Sequence, residues 1–324
     1  MPEVIKIRDI VAKPGEKAYG FLKIAENSTD IVKIPIEIVN GSKGSSPKLC
    51  LTGGVHCTEY EGIEAITRIF HEINPEDLSG ALISCPVVNT PGFQRVTHYV
   101  NPLDGMNLNR VYPGNPEGTI SEKMIDVIFN ELIRLCDYYI DLHGGEPYED
   151  MGQFVIYSTG VGTKEIEVKS AEMARYYLPN VIQTFEGKDG TSSAEVARVG
   201  IPSITPQAGA LALYREEDIQ FHVRGVKNVM KWLGMLPGPP EEPKKDIPTF
   251  INNYYVRVKK GGIFYPLLRG EDPFKKGDVM GVIKDLFGNV IEEIIAPKDG
   301  MVCYYFPKRV KVAGDPAYSM WVHS

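Results

Sequence analysis

Between Pro237 and Lys245 the chain reads PGPPEEPKK, and the text on its two sides obeys different rules. Upstream, strand-length apolar runs alternate with helix-length amphipathic ones, the pattern of a sheet covered by helices on both faces. Downstream, short runs are separated by Gly, Pro and Asp turns (KKGG, RGEDP, KKGD, LFGN, APKDG, VAGDP), the rhythm of a small all-β unit. The Pro- and charge-rich stretch itself has the composition of an exposed linker. The expected organisation is therefore an α/β body over 1–240, with a mixed sheet flanked by helices, followed by a small C-terminal all-β domain over 246–324.

Within the body, Pro35–Val39 and Lys48–Thr52 read as paired strands, with turn-forming Asn40–Gly44 between them. The second strand leads into the glycine loop 53–59. Helical spacing of Ile63, Ile66, Ile69 and Phe70 then places that loop before a helix N-terminus, where α/β enzymes carry chemistry. ALISCPVVN (81–89), YYIDLHGG (138–145), GQFVIYST (152–159) and IPSITPQAG (201–209) read as further strands. ISEKMIDVIFNELIRLC (120–136), EIEVKSAEMARYYL (165–178), SAEVARVG (193–200) and DIQFHVRGVKNVMKWLGML (218–236) read as helices.

Composition narrows the partners. With 324 residues and 43% hydrophobic side chains the chain can bury a large core, and a formal net charge of −7 disfavours a nucleic-acid backbone as ligand. No signal-like or membrane-length apolar run occurs, so a cytoplasmic protein with no membrane role is expected, acting on small molecules, with a homo-oligomer admitted. Cys50, Cys57, Cys85, Cys136 and Cys303 lack CxxC spacing and read as reduced thiols; Cys57, beside His56, reads as a packing residue.

His56 and Glu59 stand three apart in the glycine loop, and His143 ends a separate strand. Two imidazoles and one carboxylate, with a fourth position left for water, form a ligand set of catalytic zinc. Glycine pairs flank both histidines, and Asp141 lies two residues before His143, where it can orient the ring. Between these segments runs Asp104-Gly-Met-Asn-Leu-Asn109-Arg110, in which a guanidinium fork and a neighbouring amide suit a carboxylate.

GGVHCTE (53–59), DGMNLNRVYPG (104–114) and DLH (141–143) resemble, in order and spacing, the succinylglutamate desuccinylase and aspartoacylase branch of the zinc carboxypeptidase-like hydrolases, and the likeness runs over essentially the whole chain. The tail (GEDPFKKGD, APKDGMV, VKVAGDP) resembles the small β-domain of that branch, built like a lipoyl or biotinyl carrier module. The resemblance implies one Zn²⁺ per chain on His56, Glu59 and His143. It also implies that Asn109 and Arg110 hold an anionic group of an N-acyl amino acid, and that an amide bond is hydrolysed. A small-peptide carboxypeptidase is the nearest alternative.

The chain departs from the family pattern at Ile204-Thr-Pro-Gln207-Ala-Gly209, where the family's I-T-x-E-x-G carries a general-base Glu. A Gln can orient water but cannot accept its proton. Glu146 is the first substitute considered, with His98, Glu186 and Glu195 behind it, and the catalytic set is read as Gln207, Arg110 and Glu146. Relatives carry an Arg near Tyr99; Arg95, His98 and Tyr99 stand nearby here, and Asp104, His98 and Tyr99 join Asn109 and Arg110 as substrate-binding candidates. Gln207 also admits a metal- or ligand-binding homologue with impaired or altered chemistry. The β-unit turn 286–290 lacks the lysine that a carrier needs, so that unit is read as packing or capping the pocket.

Overall fold

In a computed structural model, which describes residues 2–26, 28 and 30–322, nine strands form one sheet. Its order is Thr249–Ile251, Val181–Glu186, Phe154–Thr159, Ser203–Gln207, Tyr138–Leu142, Lys48–Gly53, Ala81–Cys85, Ile31–Asn40 and Glu16–Glu26. The four strands from Ser203–Gln207 to Ala81–Cys85 are mutually parallel. They are buried on both faces, which is why their sequences are apolar without alternation. Leu49, Leu51, Ile140 and Leu142 point to a core shared with the helices Tyr60–Glu72, Lys164–Tyr176 and Glu216–Trp232. Cys50, Ile83 and Tyr139 point to the other core, against Ile120–Val127 and Ser192–Arg198.

Two expectations need correction. Ile31–Asn40 and Lys48–Gly53 are not paired with each other, because Ala81–Cys85 lies between them, antiparallel to the first and parallel to the second. A strand buried from end to end displaces the hairpin that the turn between the other two suggested. The helix expected over 120–136 is α-helical only to Val127. It starts on a capping box between Thr119 and Glu122 and ends in a wide turn, Ile128–Leu132, and a tight one, Ile133–Leu135. The edge strand Glu16–Glu26 had no clear signal in the sequence, since only Leu22 in it is buried and its side chains mix Lys, Glu and Tyr with apolar ones.

The C-terminal strands form two antiparallel sheets. The linker is largely exposed yet tied down: Asn228 Nδ2 donates to Glu241 O at 2.9 Å, and an Arg175 guanidinium nitrogen to Lys244 O at 2.9 Å. The first strand after it, Thr249–Ile251, extends the large sheet beside Val181–Glu186, and Asp150–Met151 from the body pairs with Gly300–Tyr305. Trp321 joins the two parts. Its ring is fully buried, edge-on to Phe154 (5.0 Å between centroids) and stacked on Phe250 (5.7 Å), and its Nε1 donates to Gln183 Oε1 at 2.7 Å.

Replacing Trp321 with Ala is expected to cost about 3–5 kcal/mol, read from the midpoint of urea unfolding. A loss below about 1 kcal/mol, ordinary for a single substitution, would mean that this ring does not hold the parts together.

Candidate metal centre

Three neighbouring parallel strands deliver the centre from their C-terminal ends, the usual location of chemistry in sheets of this kind. Lys48–Gly53 leads to His56 and Glu59, Tyr138–Leu142 to His143, and Ser203–Gln207 ends on Gln207, which forms a parallel bridge with His143. The glycines beside the histidine have a steric cause: a Cβ on Gly145 would sit 2.3 Å from Gly209 O. The segments that follow His143 and Gln207 can therefore run side by side only as backbone.

His56, Glu59 and His143 converge, each with a ligand atom within 4.8 Å of the others, and all three are buried. His56 Nδ1 lies 2.9 Å from Glu59 Oε1, and His143 Nδ1 lies 2.9 Å from Glu59 Oε2. The second approach lacks hydrogen-bond geometry, so Glu59 Oε2 is a buried oxygen without a hydrogen-bond partner. The far side of each ring is engaged: His143 Nε2 faces Asp141 Oδ2 at 3.0 Å, and His56 Nε2 faces Asn107 Oδ1 at 3.3 Å. Protons on both Nε2 atoms leave both Nδ1 lone pairs directed at the carboxylate, and such partners fix the orientation of metal-binding imidazoles. Converging lone pairs and an orphaned buried oxygen are what a cation satisfies, so these residues fit a divalent metal.

The electrostatics of these residues favour positive charge beside Glu59. Burial pushes the Glu59 carboxyl up, but the adjacent His143 and His56 outweigh it and hold it at about 2. Burial opposes charge on His143 as well, yet the carboxylates of Glu59 and Asp141 on its two sides raise it well above its ordinary value. Asp141 itself is fully buried and accepts from Thr52 Oγ1 and Ser192 Oγ, both at 2.6 Å.

The centre opens into a cavity of about 780 Å³. Of the residues singled out in the sequence, Tyr99, Asn109, Arg110, Glu186 and Gln207 line it with His56, Glu59 and His143. Asn109 Oδ1 accepts from Ser192 N at 2.9 Å, while Arg110 is exposed at the rim. Glu146, His98, Asp104, Arg95 and Glu195 lie outside the lining. Glu146 is fully buried, its Oε2 held by Thr58 Oγ1 and His98 Nδ1, both at 2.6 Å. Asp104 anchors the start of Ile120–Val127 instead: its oxygens accept from Ser121 N and Oγ, both at 2.8 Å. Glu195 accepts from Gly190 N. Cys57 is buried, with Sγ donating to Thr97 O, and all five cysteines are free and buried.

Several lining residues had not been singled out. Asn107 was hidden within the Asn/Gly-rich turn. Glu149 lies three residues past Glu146; it is 5% exposed and accepts a hydrogen bond from the hydroxyl of Tyr99, whose ring stands edge-on to His56 at 5.1 Å. Burial pushes Glu149 up to about 7. Tyr255, Arg257, Tyr304 and Phe306 come from the C-terminal unit. Only three-dimensional packing brings them here; for Glu149, the text HGGEPYED offered three acids, Glu146, Glu149 and Asp150, where one was considered.

A family model, Succinylglutamate desuccinylase/Aspartoacylase catalytic domain, matches residues 45–233. The N-alpha-acetyl-L-2,4-diaminobutyric acid deacetylase of Halomonas elongata is 29% identical over 295 residues, covering 88% of this chain and 85% of that protein. The succinylglutamatedesuccinylase/aspartoacylase of Rhodobacter sphaeroides superposes with a TM-score of 0.82 at 25% identity, over 95% of each chain. The product-bound ectoine utilization protein EutE (DoeB) of Ruegeria pomeroyi shares the fold, with a TM-score of 0.85 at 24% identity over 100% of each chain. Since the family model spans more than half of the sequence, and His56, Glu59 and His143 fall within the matched region, this chain belongs to the succinylglutamate desuccinylase/aspartoacylase family.

Proposed function

We propose that the protein is a zinc-dependent deacylase that hydrolyses the amide bond of a small N-acyl amino acid. The reading rests on one observation above the others: ligand atoms of His56, Glu59 and His143 lie within 4.8 Å of one another in the lining of a cavity with cationic residues at its rim. The deacetylase of Halomonas elongata and the family membership support the same class of reaction. Zinc, when bound, supplies Lewis acidity that polarises the amide carbonyl and makes water nucleophilic near neutral pH.

The remaining work falls to side chains. Arg110 at the rim, with Asn109 beside it, binds the substrate carboxylate and sets the amide over the centre. Gln207 orients the attacking water through its amide but cannot take the proton. In this reading Glu149 takes it: it shares the cavity with Gln207, and a carboxyl near neutrality suits a general base. The C-terminal unit, read as 246–324, acts as a cavity wall. Its lipoyl-like character rests on sequence pattern, and its exposed tip, Leu286–Phe287, carries no lysine for a carrier role.

Gln207 also motivates a second reading, a homologue that keeps the metal and the ligand cavity but has lost turnover. Metal analysis together with a panel of N-acetyl, N-succinyl and N-formyl amino acids separates the two. About one zinc per chain with turnover supports the deacylase, whereas zinc without turnover supports the second reading.

Within the deacylase reading, Glu149→Gln is expected to lower kcat by about 10²–10⁴-fold with zinc content unchanged. A loss smaller than tenfold would remove Glu149 as the base. Asp141→Asn is expected to weaken zinc binding by about 10–100-fold in competition with a chromophoric chelator, and unchanged affinity would mean that His143 is oriented by other contacts.

A further inference from the structure

Strand register gives the cavity a floor whose chemistry can be read row by row. Three adjacent strands present alternate residues to it. Gln207 lies opposite Phe154, Thr205 opposite Ile156, and Ile156 in turn opposite Gln183; one step further, Ser158 lies opposite Phe185. All seven line the cavity. The rows thus lead away from the metal centre at Gln207, bridged to His143, toward Phe185.

None of these side chains is charged, and two of the four polar ones, Gln183 and Ser158, are engaged with the protein itself. Gln183 Oε1 accepts from Trp321 Nε1 at 2.7 Å, and Ser158 and Ser193 share a hydrogen bond of 2.8 Å between their hydroxyls. Phe154, Ile156 and Phe185 supply carbon surface, and Tyr304 and Phe306 of the C-terminal unit add aromatic wall. The cations Arg110, Lys188 and Arg257 are exposed, at the rim. The acid that lines the cavity besides the ligand Glu59 and the exposed Glu186 is Glu149, which is tied to Tyr99 beside His56. A second charge carried by a substrate onto this floor would lose hydration without meeting an opposite charge on Phe154, Ile156 or Phe185, whereas an alkyl or aryl group would lose nothing polar.

We propose that the floor of Phe154, Ile156 and Phe185 receives an uncharged, largely apolar substituent, so that the preferred substrates are N-acyl amino acids with an aliphatic or aromatic group in place of a second charge. The chemistry of turnover rests on the deacylase reading; the selectivity of the floor does not. The substituent is either the amino-acid side chain or the acyl chain, and both present the same surface. This sets the chain apart from its Halomonas elongata relative, whose named substrate, an N-acetylated diaminobutyric acid, carries a second amino group.

The test uses the zinc-loaded full-length protein and measures kcat/KM for N-acetyl-norleucine, N-acetyl-phenylalanine, N-acetyl-2,4-diaminobutyrate and N-acetyl-aspartate. N-hexanoyl-glycine and N-succinyl-glycine form a second arm. The uncharged member of one arm is expected to exceed its charged counterparts by about 10–200-fold, and the arm in which this happens assigns the substituent to side chain or acyl chain. Equal rates, or preference for a charged member in both arms, would overturn the proposal. If no compound is turned over, the deacylase reading fails, and binding of the same panel by calorimetry still decides the floor: uncharged compounds must bind at least about tenfold more tightly. Ile156→Asp should reverse the preference toward diaminobutyrate. If that variant does not fold, Phe185→Ala should weaken the uncharged compounds at least about tenfold more than the charged ones, and a uniform change across the panel would count against the floor.

Discussion

A buried carboxylate organises this protein. Asp141 has no exposed surface, and it accepts from Thr52 on one parallel strand, from Ser192 at the head of a short helix, and from His143 two residues along its own strand. Such a charge is tolerated in an interior only when it is hydrogen-bonded and faces positive charge. Asp141 thus fixes the distance between two strands and the helix above them, and it orients the imidazole that completes the metal cradle. Glu59 is also buried, so His143 stands between two interior carboxylates that favour positive charge on its ring. The fold and the centre share this constraint, because the ring cannot be turned without freeing a buried anion.

The second constraint is that neither part of the chain encloses the cavity by itself. The body supplies the centre and the floor, and the C-terminal unit supplies Tyr255, Tyr304 and Phe306. Trp321 fixes their relative position through two aromatic contacts and a hydrogen bond to Gln183, which is itself a floor residue. The packing that joins the parts therefore also satisfies a polar group that would otherwise face the substrate.

Much of this was legible in the sequence where the determinants are local. The buried strands announced themselves by apolar runs, the helices by their spacing, and the cradle by glycine loops ending strands at His56 and His143. Residues whose roles depend on distant partners were less so. Asp104 sits in the motif expected to bind substrate, yet it caps a helix, because Ser121 comes within reach only after folding. Glu146 and Glu149 differ by three positions in an irregular segment, and only the packing of Thr58 and His98 against Glu146 and of Tyr99 against Glu149 separates them. No local pattern could have paired Ala81–Cys85 between its neighbours or extended the sheet with a strand from beyond the linker.

The distribution of the cavity along the chain has a consequence for biogenesis. Every cradle residue lies at or before position 143, whereas the walls arrive from position 255 onward and the ring that seats them is at 321. On a ribosome the cradle residues emerge long before their cover does. The sheet that positions the cradle is itself incomplete until Ser203–Gln207 has been made, so both the geometry of the cradle and the closing of the cavity depend on chain synthesised after His143.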